Sequence, residues 1–404
     1  MISRLLWLVS ILVLVAFVWS TSLFLDDTSV DDFLEQHWTY PVPPQGEPPP
    51  QFSALEASLD PASCGACHTE QYAQWRNSLH SHTMGAGIRW QLQLADMETA
   101  KSCMRCHAPL TEQLALLSQK RGWSKATSAP PDYIPSNLDQ QGLVCAACHV
   151  RSHRRYGPPA SNSSPDITIH GGFVEHKAFE DSRFCAHCHQ FPETGSRING
   201  KLHEDTYNQW KASRFSSEGT QCQSCHMPQR QHLWKGIHDE AMTRSALTVK
   251  LGVEQVAGGE NIVYADVTNS GAGHHFPTYL VPEVLLSLEY VDGIGEVTQL
   301  ARHVLAWRAN LALTSEVFDQ RLASGESLRI NSNPLLLGTE GRVRLRVSVA
   351  PRQHYVRTFE SYLKANAKNL DDETRGLLEQ AISEAKAAEY DFIAADKPMQ
   401  RVAN

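Results

Sequence analysis

The sequence predicts an α+β multidomain chain: a mostly helical and irregular region, then a small β-sandwich, then a C-terminal helix. Three observations lead there. One five-residue pattern recurs five times between Cys64 and His226. Past residue 245 the apolar positions alternate strictly, the period of a half-buried strand. Beyond residue 356 they switch to helical spacing.

The repeated pattern is Cys-x-x-Cys-His, at Cys64-Cys67-His68, Cys103-Cys106-His107, Cys145-Cys148-His149, Cys185-Cys188-His189 and Cys222-Cys225-His226. This is the attachment signal of c-type haem. Two thiols one helical turn apart bond the two vinyl groups of one porphyrin, and the adjacent imidazole reaches the iron as proximal ligand. The five copies use all ten cysteines of the chain. Zinc sites pair two such clips and do not require a His after each second Cys. A disulfide framework suits an exported chain but leaves the repeated His unexplained. The expected cofactors are therefore five covalently bound haem c groups with their iron. Motif starts fall 39, 42, 40 and 37 residues apart, as in an array of units.

Composition is that of an ordinary globular protein: 404 residues, 42% hydrophobic, net charge −8. Such an acidic balance argues against nucleic acid as a partner and is compatible with redox proteins that dock through basic surfaces.

Residues 1–25 contain an uncharged run from Leu5 to Leu25, long enough for the roughly 20 residues that span a bilayer. Arg4 before it and Asp26-Asp27 after it place the N-terminus in the cytoplasm. An uncleaved single-pass anchor in the bacterial inner membrane is expected, with the rest of the chain in the periplasm. A cleaved signal peptide is the rival, but Val18-Trp19-Ser20-Thr21 is a poor cleavage site. Residues 26–60, with Pro41-Val-Pro-Pro and Pro48-Pro-Pro, read as a stiff spacer, and His37 and Trp38 as interfacial or incidental.

The haem region is expected over 61–244. From Cys64 to His226 there are 163 residues, too few around five macrocycles for an ordinary side-chain core. Stacked haems are expected to form that core, wrapped by short helices and loops. Residues 245–355 read as the β-sandwich: Leu247 to Val253, Val284 to Tyr290 before an Asp292-Gly293 turn, and Val343 to Val349 all alternate. Ile262 to Asn269 and Ser327 to Ile330 are further strands. Residues 356–404 form a C-terminal helical segment, with Leu378, Ile382 and Ala385 as its stripe and Asp371 or Asp372 near its cap.

Function turns on the sixth ligand of each iron. Nineteen histidines less five proximal ones leave ample candidates, and neutral imidazole ligates well when its other nitrogen is fixed by an acceptor. Cys64-x-x-Cys67-His68 followed by Tyr72, Trp75, Ser78 and His80 resembles the pattern of a multihaem cytochrome family that includes hydroxylamine oxidoreductase and the tetrahaem cytochrome of ammonia oxidisers. The resemblance covers about residues 61–280 and implies that His80 is a distal ligand. Thr206-Tyr-x-x-Trp210-x-x-Ser213 is similar to a segment before a later haem, but has Arg214-Phe215 where the first copy has Leu79-His80. His232-Leu-Trp-x-Gly236-x-His238 resembles the segment after the last haem and offers two more ligands. Gly271-Ala-Gly-His274-His275-Phe-Pro277 resembles a loop in related β domains. The expected distal set is His80, His170 (with His176 its rival), His232, His238 and one of His274 and His275, with His275 preferred.

Three functions fit. The first is electron transfer through five low-spin haems, probing no substrate, with other redox proteins or a quinol-oxidising membrane complex as partners. The second is a haem enzyme acting on a small nitrogen or sulfur compound at one open iron; the Cys-x-x-Cys-Lys motif of pentahaem nitrite reductase does not occur in this sequence. The third is a membrane-anchored quinol dehydrogenase, with which the spacer and β domain agree poorly.

Overall fold

The computed structural model describes residues 29–124, 129–160, 169–338 and 340–399. The expected anchor, 1–25, lies outside them. Among the described residues no helix is long and apolar enough to cross a membrane. The chain divides into two compact units. One takes the described residues up to Tyr72 together with Lys101–Phe184, and the other takes Ala73–Ala100 with the residues from Cys185 onward. The division runs through the stretch read as a single haem region: three motifs fall in the first unit, two in the second.

In the first unit, the stretch expected to be a spacer is packed instead. Residues 29–37 are helical, and Val30, His37, Trp38, Val42 and Gln45 are buried. Phe33 stacks between His37 (4.9 Å) and His176 (3.9 Å). Val42 bridges Leu110, and its carbonyl accepts from the Thr111 hydroxyl. The Gln45 N–H donates to Glu112 Oε1 at 2.6 Å. Prolines forbid a continuous helix here, yet the apolar side chains set between them still find partners.

The second unit contains the sandwich. Its strands are β1 (Leu247–Gln255), β2 (Asn261–Asn269), β3 (Glu283–Val291), β4 (Val297–Leu305), β5 (Ser327–Asn331), β6 (Arg342–Ala350) and β7 (Tyr390–Pro398). They pair antiparallel as a three-stranded sheet β5-β2-β1 and a four-stranded sheet β7-β6-β3-β4. Alternate residues from both sheets meet in one core, among them Val263, Ala265 and Val267 of β2 and Leu286, Leu288, Leu345 and Val347 of β3 and β6. On the outer face of β6, Arg344 and Arg346 both bond the Glu289 carboxylate, at 2.6 and 3.1 Å.

The C-terminal segment is only partly helical. Helices α2 (Gln353–Asn366) and α3 (Asp372–Ala387) precede β7. Asp371 caps α3, accepting from Thr374 N–H. The chain then turns at residue 388 and adds Tyr390–Pro398 beside β6, because Tyr390, Phe392 and Ile393 suit a strand and Phe392 reaches the sandwich core. Helices α2 and α3 pack on an earlier helix, α1 (Ala86–Leu94), through Trp90, Phe359, Leu377, Leu378 and Ala381.

Candidate haem sites

Four motifs lie wholly within helices, Met97–His107, Cys145–His149, Arg183–His189 and Cys222–His226, and the first begins in Pro61–Gly65. Helical geometry puts residues i and i+3 on one face, so both thiols of each clip address the same group. No disulfide joins the ten cysteines. The Cys64 and Cys145 thiols hydrogen-bond one another, which brings the attachment points of the first and third motifs into contact.

Two of the proximal imidazoles are oriented by backbone carbonyls. His149 Nδ1 donates to Tyr156 O at 2.7 Å and His226 Nδ1 to Lys235 O at 2.6 Å. This leaves Nε2, with its lone pair, for a metal.

Three proximal rings face a second imidazole. His68 and His170 have ring centres 6.5 Å apart, His189 and His80 6.3 Å, and His226 and His274 6.3 Å. Two imidazoles bonded to opposite faces of one metal at about 2 Å put their ring centres about 6 Å apart. The spacing therefore fits a haem iron between each pair. Burial pushes His80 down to about 3 and His274 to about 4, with neighbouring histidines adding to both effects, so each stands neutral, the ligating form. Among the described residues no group of three or more His, Cys, Asp or Glu side chains converges on a metal position; these imidazoles come in twos.

Of the neighbours His274 and His275, it is His274 that faces His226. His275 serves through its carbonyl, which accepts from His274 Nδ1 at 2.8 Å, and its own N–H is held by Gln209 Oε1. His176, the rival to His170, has its Nδ1 accepting from Ala178 N–H and its ring stacked on Phe33. His232 lies edge-on to Trp234 at 5.1 Å, and His238, half-buried, is held neutral by burial and by Arg352. Neither belongs to the three pairs. His37, read as incidental, is buried with its Nε2 donating to Cys148 O at 2.8 Å. Nothing in the sequence spacing signalled that contact.

The two Trp-x-x-Ser segments are a structural repeat. Ser78 Oγ donates to Trp75 O and Ser213 Oγ to Trp210 O, both at 2.7 Å. After Ser78 the chain supplies His80. After Ser213 it supplies Arg214 and Phe215, and the loop 271–275 comes in against them. A Cβ on Gly273 would sit 3.0 Å from Trp210 Cδ1 and 3.4 Å from Phe215, and one on Gly271 only 2.0 Å from Ser245 O. Glycine at both places lets the loop approach closely enough to present His274.

Residues 51–247, which contain all five motifs, match the family model of cytochrome c552. Among solved structures, the chain is similar to the crystal structure of a penta-heme cytochrome c552 from Thermochromatium tepidum, at 18% identity and a TM-score of 0.56. That likeness covers 85% of this chain and 99% of the other. No curated protein matches. With five clips of this chemistry inside the matched segment, the chain carries several covalently bound haem c groups.

Proposed function

We propose that the chain is a periplasmic electron carrier of a respiratory chain, held at the inner membrane by residues 1–25 and docking with other redox proteins or a quinol-oxidising complex. His68 and His170, His189 and His80, and His226 and His274 are the axial pairs of the first, fourth and fifth irons. The observation that carries this reading is the recurrence of two imidazoles at the spacing of one iron. An iron with both axial positions filled offers none to a substrate. The resemblance of Trp75-x-x-Ser78-x-His80 to the hydroxylamine oxidoreductase group supports His80 in this role. Contact between the Cys64 and Cys145 thiols supports electron exchange between the first and third haems.

An electron paramagnetic resonance spectrum of the oxidised, haem-loaded protein, with spins counted against iron, tests the proposal. All five irons are expected to be low-spin. A high-spin iron that binds nitrite, hydroxylamine or cyanide would replace the carrier with an enzyme. One observation favours that second reading, and it concerns the first haem. His170 sits on left-handed backbone (φ 61°), is followed by Gly171 and Gly172, also at positive φ, and has a buried Nδ1 without a partner. It is less firmly held than His274.

A further inference from the structure

The hairpin that follows the third motif pairs Val150–Arg151 with Arg154–Gly157. It carries two arginines whose hydrogen bonds all end on backbone carbonyls. Arg151 Nε donates to His37 O at 2.8 Å, and its Nη1 to Val150 O at 2.6 Å and Ala146 O at 3.4 Å. Its Nη2 is buried with no partner, and the guanidinium lies over the Trp38 ring at 5.3 Å. Arg155 Nη1 donates to His153 O at 2.6 Å, its Nη2 to Glu56 O, and its guanidinium lies over Phe52 at 5.8 Å. Neither makes an ion pair with a carboxylate among the described residues. Arg151 acts electrostatically on Cys148 and His149 of the third motif, and Arg155 on Cys64 of the first motif and on His170, which faces His68.

Other charged groups face this hairpin. Glu112, buried, is the carboxylate acting on Arg151, and its Oε1 is occupied by the Gln45 N–H. Glu56 acts on Arg155, but its carboxylate is bonded by Ser53. Asp60 acts on Cys64, while its Oδ1 caps the Pro61–Gly65 helix. Both arginines lose some of their basicity to burial, Arg151 to about 10, and stay charged at neutral pH.

We propose that this hairpin is an electrostatic tuning element: Arg151 raises the reduction potential of the third haem and Arg155 that of the first. Reducing a ferric haem removes one positive charge from the iron, so a fixed cation held nearby in a poorly solvated place favours the reduced form. Because the Cys64 and Cys145 thiols touch, the two tuned haems are neighbours, and an electron entering this unit rests on them. The inference depends on haem occupying both motifs, which haem content and spin state report separately from potential.

The test is a spectroelectrochemical titration of the haem-loaded full-length protein and its variants. Arg151→Gln is expected to lower one of the midpoints, and Arg155→Gln a different one. Each shift corresponds to about a tenfold fall in the equilibrium constant for reduction, 59 mV for a one-electron couple. Arg151→Lys and Arg155→Lys should restore more than half of the shift. Glu112→Gln removes the opposing charge and should move the Arg151-sensitive midpoint the other way. With five haems per chain retained, unchanged midpoints in both Gln variants would overturn the proposal, as would Lys variants as low as the Gln ones. If a Gln variant loses haem, Glu112→Gln decides alone: a raised midpoint upholds the Arg151 half, and an unchanged or lowered one overturns it.

Discussion

His80→Ala and His274→Ala are each expected to convert one of the five haems from low-spin to high-spin, while His275→Ala leaves all spins as they were. The asymmetry between the neighbouring histidines is a matter of which atoms are used. His274 places its ring 6.3 Å from that of His226, and its removal empties an axial position. His275 holds His274 through a backbone oxygen, which survives truncation of the side chain. Its buried Nδ1 has no partner to lose. His80 faces His189 at 6.3 Å and lies edge-on to Trp234 at 4.5 Å. Spin quantification on protein with full haem content gives the answer. An unchanged spectrum for His274→Ala, or a high-spin iron in His275→Ala, would reverse the assignment.

The largest effect on stability is expected from Phe359→Ala. This ring is buried, meets Trp90 edge-on at 5.2 Å and stacks on Tyr355 at 5.5 Å. It also lies under Gly87, where a Cβ would find its Cε2 at 3.6 Å. Truncating such a ring costs about 3–5 kcal/mol, because the cavity cannot collapse against helices pinned on three sides. In a chain of this size the expected fall in melting temperature is about 5 °C. Ala381, on α3, belongs to the same cluster, so Ala381→Leu in the Phe359→Ala background should recover part of the loss. A cost below about 1 kcal/mol would show that α2 and α3 are not what holds α1, the helix between His80 and the second motif.

How much of this was legible depended on whether the signal was local. The haem clips need only a helical turn, and β1, β2, β3, β5 and β6 keep their alternation without interruption. Of the seven strands of the sandwich, β4 and β7 escaped. β4 pairs with β3 through an irregularity at Leu288/Glu289, and β7 with β6 through one at Leu345/Arg346; each shift breaks the two-residue period that identifies a strand. β7 also follows directly on the stripe of α3, with only residues 388–389 between them to mark the change of period. The packed stretch 29–50 was hidden by its prolines, since composition reports backbone stiffness and not the partners of Val42 or Trp38. Choosing between His274 and His275 required a contact between residues some sixty positions apart, that of Gly273 with Trp210.

The entry of that loop sets an order of maturation. His274 lies almost fifty residues downstream of Cys225 and projects from the loop that follows β2. A chain emerging N-terminus first presents its fifth clip for haem attachment well before the sandwich exists. With His274 as its proposed ligand, the newly attached fifth haem waits with one axial face uncovered and acquires that ligand only when the β-sheet closes. Mature protein should retrace this in denaturant: one low-spin signal should vanish together with the β-sheet circular dichroism. Persistence of all low-spin signals after the sheet has melted would break the link between sandwich folding and that last ligation step.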